Sequence, residues 1–174
     1  MSANQGAIVR KQLVRMTDSI TRPSNTTTYA ANDVISEVTT NDHYSFTAPN
    51  QLTRSGEIVH ASIVSNDAVA TSLDGELYLF YADIAEVADN AALALTDAEM
   101  LTCIGVIDFA TANWKDGKAG AGGTSRCDVS GLSIPYSIND VSSDYVIYGQ
   151  LVAANAYVPV SAEVFTVTLT ARVD

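Results

Sequence analysis

The sequence has few of the residues that build metal, redox or nucleic-acid sites. Its 174 residues include two cysteines, two histidines and nine lysines and arginines against twenty aspartates and glutamates, a formal net charge of −11. Because phosphate groups are bound by clustered cations, this balance argues against nucleic acid and anionic membranes as partners. No apolar run approaches the ~20 residues of a membrane-spanning helix, and no signal peptide is recognisable. We therefore expect synthesis in a cytoplasm without export through a signal peptide.

The cysteines and histidines are also placed without the spacing of a reactive site. Cys103 and Cys127 have no histidine close in sequence, which argues against zinc; free buried thiols are the favoured interpretation and a single disulfide is the alternative. His43 follows Asp42 directly, and neighbouring side chains of a strand point to opposite faces, so the two do not form a catalytic pair. We expect His60 to be a structural histidine on the outer face of a strand. No catalytic residue, metal site or cofactor is predicted.

One acidic segment, residues 83–102, contains no basic residue and many alanines. Thr96 and Glu99 are three residues apart, which is the spacing of a helix-capping box, and Asp97 favours the same helix start. We predict one short helix at about residues 97–101 in a crossover loop. A calcium site at these acids is an alternative, although their spacing is not that of an EF-hand.

Alternation of apolar and polar residues is the clearest pattern in the chain. Five apolar residues near the C-terminus alternate with four polar ones; they are Phe165, Val167, Leu169, Ala171 and Val173. Because successive side chains of a strand point to opposite faces, this segment is predicted to be a half-buried strand. Shorter strand patterns precede it at 33–35, 46–49, 58–65, 77–81, 103–109, 129–135 and 145–153.

Two of these strands indicate which side chains share a face. We expect Val59, Ala61 and Ile63 to point inward. The next strand is expected to be central and covered on both faces, with one face made by Leu77, Leu79 and Tyr81. About eight or nine strands predict an all-β fold, a two-sheet antiparallel sandwich of jelly-roll type with one short helix in a crossover loop.

Charge is uneven along the chain. The first 22 residues have a local charge of +3, whereas the remainder carries −14. Residues 1–15 are expected to be a flexible basic arm, and residues 16–174 a single sandwich domain long enough to bury a core without metal or disulfide. The candidate contact residues of this region are Arg10, Lys11, Arg15 and Arg22.

A glycine-rich segment at 117–124 follows Trp114. A lysine among glycines suggests a phosphate-binding loop, but that motif requires Ser or Thr directly after the lysine at the start of a helix, and Ala119 follows Lys118 here. We predict an exposed loop instead. Its candidate contact residues are Trp114, Lys118, Gly120 and Gly122.

Three segments resemble a family of small virion structural proteins of tailed bacteriophages. They are ITRPSNTTTYAANDVI at 20–35, ADNAA, TDAE and IGVIDF within 88–109, and YGQLVA, NAYVPVS and EVFTV within 148–167. The family usually has Ala-Gly-Asp-Val where this chain has Ala-Asn-Asp-Val at 31–34, and asparagine also tolerates a left-handed turn. No active-site motif belongs to the resemblance.

The resemblance implies a non-enzymatic capsid decoration protein that binds the outer head surface and stabilises it. The partners would be the major capsid protein or neighbouring virion subunits. It also implies a homo-oligomer, for which the symmetry of icosahedral shells suggests a trimer, located in the virion after assembly in the host bacterial cytoplasm. In that setting residues 1–22 are hypothesised to lie across a neighbouring subunit or an acidic capsid surface, with a disordered tail as the alternative.

Two further interpretations stay open. One is a tail or head-fibre attachment module that binds a receptor through the 117–124 loop and Trp114. The other is a jelly-roll carbohydrate-binding module, which would need an exposed aromatic platform.

Overall fold

A computed structural model of the chain describes residues 12–38, 42–49, 54–67, 73–118, 123–138 and 145–173. Within these residues the chain forms ten strands, one α-helix and one 3-10 helix. The strands are β1 (Gln12–Thr21), β2 (Asp33–Ile35), β3 (Tyr44–Thr47), β4 (Ser55–Ser65), β5 (Gly75–Phe80), β6 (Cys103–Phe109), β7 (Trp114–Lys118), β8 (Thr124–Ser137), β9 (Val146–Ala153) and β10 (Val164–Val173). The helix α1 spans Asp97–Met100, and the 3-10 helix spans Thr111–Asn113.

The strands form two antiparallel sheets that pack against each other. Sheet A has the order β1-β10-β4-β8-β7, and sheet B has the order β2-β9-β5-β6, with β3 also pairing with β9. The pairing is nested, because the first strand lies beside the last, the second beside the ninth, and the fourth beside the eighth. This is the topology of a jelly roll. The predicted all-β sandwich of jelly-roll type with one short helix is confirmed.

The core lies between the sheets and is built from alternating side chains. On β10, Phe165, Val167, Leu169 and Ala171 are buried, whereas the threonines between them are half-buried on the outside. Sheet B contributes Tyr44, whose hydroxyl donates a hydrogen bond to the carbonyl of Phe165 at 3.1 Å. The final strand is therefore half-buried, as its alternation predicts.

Two local predictions are wrong because irregular pairing shifts the alternation. In β4 the pairing with β8 shifts after Ile58, so Ile58 is buried and Val59, expected to point inward, is only half-buried. Tyr81 lies beyond the end of β5 and is exposed, whereas Phe80 is buried. The positions of β4 that are buried as predicted are Ala61 and Ile63.

Strand β1 changes the predicted domain boundary. It begins at Gln12 and pairs with β10 along its whole length. Residues 12–15 therefore belong to the sandwich, contrary to the prediction of an arm up to residue 15, because Val14 and Met16 are buried in the core. Residues 1–11, with Arg10 and Lys11, lie outside the described residues.

The capping box predicted at the start of α1 is confirmed. The Glu99 amide donates to the Thr96 hydroxyl at 3.2 Å, and the Thr96 amide donates to the Glu99 carboxylate at 2.7 Å. That carboxylate also accepts from the Ala85 amide at 2.8 Å. These hydrogen bonds, first the one from Ala85, lower the pKa of Glu99. Within the described residues no group of three or more acidic, histidine or cysteine side chains could hold a metal ion, so the calcium alternative finds no site there.

Gly149 lies where β9 pairs with both β3 and β5. A methyl group at this position would lie 2.8 Å from a ring carbon of Phe46 and 3.2 Å from a methyl group of Leu77. We expect Gly149→Ala to lower the free energy of unfolding by about 1–3 kcal/mol, because overpacking displaces core side chains. The measurement is urea denaturation.

Gly75→Ala, in the adjacent strand β5, is the matched control. Its added methyl group would meet its nearest neighbours at 3.5 Å, which is ordinary contact. The control should therefore lose less stability than Gly149→Ala, and equal losses would contradict the prediction.

Candidate functional site

Arg22, predicted to contact a partner, is instead fully buried. Its Nε donates a hydrogen bond to the Tyr29 hydroxyl, and its guanidinium lies 4.7 Å from the centre of the Tyr29 ring. Nη1 donates to the Val160 carbonyl at 3.0 Å, and Nη2 lies 3.6 Å from the Asp89 carboxylate. The predicted contact is therefore wrong. A buried charge must be paired within the protein, and these groups supply the partners of Arg22.

Glu163 is a second charged residue buried in the same region. Its carboxylate accepts hydrogen bonds from the Ser65 hydroxyl at 2.5 Å, the Tyr157 hydroxyl at 2.6 Å and the Val160 amide at 3.3 Å. Burial raises the pKa of Glu163, although these hydrogen bonds and the charge of Arg22 act in the opposite direction. The buried polar cluster, as we name it, consists of Arg22, Tyr29, Asp89, Tyr157 and Glu163.

Trp114 is also buried, contrary to the prediction of an exposed binding edge. It begins β7 opposite Cys127, and its ring belongs to the core. The attachment alternative therefore loses Trp114 as a binding residue, and the carbohydrate-binding alternative cannot use Trp114 in its aromatic platform. Lys118, at the end of β7, is exposed, whereas Gly120 and Gly122 lie outside the described residues.

The cysteines are free, as favoured from the sequence, with Cys127 buried and Cys103 half-buried. Burial raises the pKa of the Cys127 thiol to about 11, so it stays protonated at neutral pH. His43 is buried, and its Nε2 lies 3.1 Å from the Asp83 carboxylate. These groups belong to the structure of the sandwich.

The two sheets differ in what their outer faces expose. In sheet B, β9 is buried on both faces along nearly its whole length. In sheet A, the outward side chains of β1 are exposed and those of β10 are half-buried. Hydroxyl pairs join these two strands, Thr17 to Thr168 at 2.9 Å and Ser19 to Thr166 at 3.0 Å. We name the outward side chains of β1, β10, β4 and β8 the open face.

A pocket of about 160 Å³ lies in the open face. Its lining comes from four strands and consists of Arg15, His60, Ser62, Arg126, Thr168 and Thr170. Ser62 is only 4% exposed, so it lies at the bottom, whereas Arg15 and Arg126 are exposed at the sides. The structure thus brings Arg15, a predicted contact residue, together with residues that the sequence did not single out for binding.

Asp128 contacts two of the side chains that line this pocket. Its carboxylate accepts from Nε and Nη2 of Arg126 at 2.8 and 2.7 Å, and Nε2 of His60 lies 3.3 Å away. The hydrogen bonds from Arg126, followed by the charges of Arg126 and His60, lower the pKa of Asp128 against the effect of partial burial. Arg15 and Arg126 carry two positive charges in this pocket against the one negative charge of Asp128, so the pocket has an excess positive charge.

This arrangement can bind an anion. Guanidinium groups and hydroxyls donate hydrogen bonds to oxyanions, and the guanidinium fork matches a carboxylate. A nucleophilic site would instead require a hydrogen bond between Ser62 and His60. That bond is not found within the described part of the chain, so binding is the chemistry that the geometry supports.

Comparison of the chain with protein-family models and with curated protein sequences finds no match. Among the helices of the described residues, none has the length and apolar character needed to cross a membrane.

Substitution of Arg22 should affect stability far more than substitution of an exposed arginine. We expect Arg22→Met to lower the free energy of unfolding by about 3–5 kcal/mol, because the Asp89 carboxylate keeps its hydrogen bonds from Tyr29 and Ser36 but is buried without a positive counter-charge. Arg15→Met, on the open face, should change stability by no more than about 0.5 kcal/mol. Chemical denaturation measures both, and a near-neutral Arg22→Met variant would contradict the burial described here.

The raised pKa of Glu163 predicts a pH dependence of stability. An acid whose pKa is higher in the folded state holds its proton more tightly there, so stability falls as the pH rises from the ordinary value of 4.5 through the raised one. We expect Glu163→Gln, which stays neutral, to lack this decline. Urea denaturation at stepped pH would show it, and an identical pH profile in wild type and variant is the contrary result.

Proposed function

We propose that the protein is a non-enzymatic structural component of a tailed-bacteriophage particle and decorates the outer surface of the head. The observation that carries the proposal is the open face, a hydroxyl-rich sheet surface with excess positive charge in a chain of net charge −11. The resemblance of three segments to small virion proteins supports the same role. The partner would be the major capsid protein, and the location would be the virion.

The topology is compatible with this role but does not select it. Jelly rolls occur in viral capsid domains and in lectins alike. Among the described residues, the pocket of the open face has no aromatic side chain in its lining, and Trp114 is buried. These two observations favour a protein partner over a sugar.

The open face has the properties of a surface that binds another protein over a large contact area. Short hydroxyl side chains lose little conformational entropy when they are covered. A positive patch attracts an acidic surface and orients it during association. Binding should therefore weaken as salt screens the charges.

The test uses purified protein and expanded heads that lack it, imaged by electron cryo-microscopy. We expect regular density over the shell, with the open face toward the capsid. Density only at a vertex or at the tail would favour the attachment module over a decoration protein. The absence of added density would overturn the proposal.

A pair of variants tests whether the open face is the contact. Thr17→Glu adds a carboxylate to this face, whereas Thr47→Glu adds one to an exposed position of β3 in sheet B. We expect the first to weaken head binding at least about tenfold through charge repulsion, and the second to bind like wild type. Thermal melts would establish that both variants are folded, and equal binding would exclude the open face.

Two expectations stay predictions at this stage. The hypothesis of a contacting basic arm now concerns residues 1–11, with Arg10 and Lys11, because Arg22 is buried and Arg15 lies on the open face. The trimeric state is the second.

A further inference from the structure

We propose that the pocket in the open face is a binding site for a carboxylate group of an acidic protein segment, held between Arg15 and Arg126. The site is a property of the isolated chain, so it can be tested apart from the role on a phage head. The pocket is small, with a volume of about 160 Å³, and its bottom and sides carry hydroxyl, imidazole and guanidinium groups.

The two arginines reach the pocket from opposite sides. Arg15 lies on β1 and Arg126 on β8, and β10 and β4 lie between these strands. Three strand spacings, about 14 Å, therefore separate the two strands, and Arg126 lies four residues along β4 from the level of Arg15, since it pairs with Val64 while Arg15 is level with His60. Both long side chains nevertheless line the same pocket, with Ser62 between them. A ligand in the pocket would contact a guanidinium group on each side and hydroxyls beneath.

The arginines differ in their existing partners. Arg126 forms two hydrogen bonds with Asp128, which hold its planar group in place. Arg15 forms no ion pair or hydrogen bond with any residue of the described part of the chain. Its positive charge is thus available to a ligand, while Arg126 supplies a side chain that is already ordered.

The charge of the pocket matches a carboxylate better than a phosphate or sulfate. The two guanidinium groups and Asp128 sum to one positive charge, which balances a monoanion. A dianion would leave an uncompensated charge close to the Asp128 carboxylate. A planar carboxylate also fits the guanidinium fork. No aromatic ring lines this pocket among the described residues, which disfavours an acidic sugar.

The experiment is a titration of the isotope-labelled full chain, followed by NMR of backbone amides and of arginine Nε–H groups. The probe is a capped Gly-Glu-Gly peptide, and the matched control probe is Gly-Gln-Gly. We expect saturable shifts at Arg15, Ser62 and Arg126 with the glutamate peptide, and none with the glutamine peptide.

Two variants and one control locate the site. Arg15→Gln should weaken peptide binding about tenfold, the effect of one lost charge-assisted hydrogen bond. Arg126→Gln should weaken it further, since it also leaves Asp128 to repel the ligand. Arg172→Gln, an exposed arginine of the same sheet paired with Glu57 at 3.4 Å, lies outside the pocket lining and should bind like wild type.

Other results would overturn the assignment. Equal binding of the two peptides, or an equal loss in Arg172→Gln, would show that the pocket does not recognise the carboxylate. If glucuronate or sulfate binds more tightly than the glutamate peptide, the pocket is a site for a sugar acid or an inorganic anion and not for a protein carboxylate. If the protein binds phage heads but does not bind the glutamate peptide, this inference is refuted and the proposed role in head decoration is unaffected.

Discussion

The rest of the structure depends on one buried charge, the guanidinium group of Arg22. A charge inside a protein is tolerated when an opposite charge and hydrogen-bond acceptors surround it. The Asp89 carboxylate, 3.6 Å from Nη2, supplies the opposite charge of Arg22, and the Tyr29 hydroxyl and the Val160 carbonyl accept its hydrogen bonds. These partners come from three separate connections: the segment after β1, the crossover after β5 and the link between β9 and β10. The cluster therefore joins these connections at one end of the sandwich, alongside the backbone hydrogen bonds that Tyr29 and Tyr157 exchange at 2.9 and 3.2 Å.

The same connections explain why the two sheets have different outer faces. The crossover that carries Asp89 also bonds to the edge strand β2, where the Val34 amide donates to the Ala91 carbonyl at 2.8 Å and the Asn90 amide donates to the Val34 carbonyl at 2.9 Å. Sheet B thus acquires irregular chain along its edge, and β9 is buried on both sides. Sheet A has an outer face of hydroxyl and charged side chains. The proposed carboxylate site lies on this face of sheet A.

Local patterns in the sequence were sufficient to predict the fold but not to predict the candidate site. Alternation predicted the final strand, and the spacing of Thr96 and Glu99 predicted the capped helix, because both are set by residues close in the chain. Burial of Arg22 and Trp114 could not be predicted, since their neighbours come from distant segments. The pocket was missed for the same reason: Arg15, His60 and Arg126 become neighbours only through strand pairing. Two threonines of β10 line the pocket, but their alternation with apolar residues did not reveal it. Any sheet face that is exposed to solvent has the same alternation of polar and apolar residues.

Inward and outward side chains alternate along β10 and β1, so core packing and surface chemistry are set by different residues of the same strands. Each strand presents core side chains on one side and hydroxyl or charged side chains on the other, so a substitution on the outward side need not alter the packing of the core. Such a face can diversify quickly while the sandwich stays constant. A lineage that must follow a changing shell surface would gain from this independence, and so would an engineer who grafts a new specificity onto the same strands.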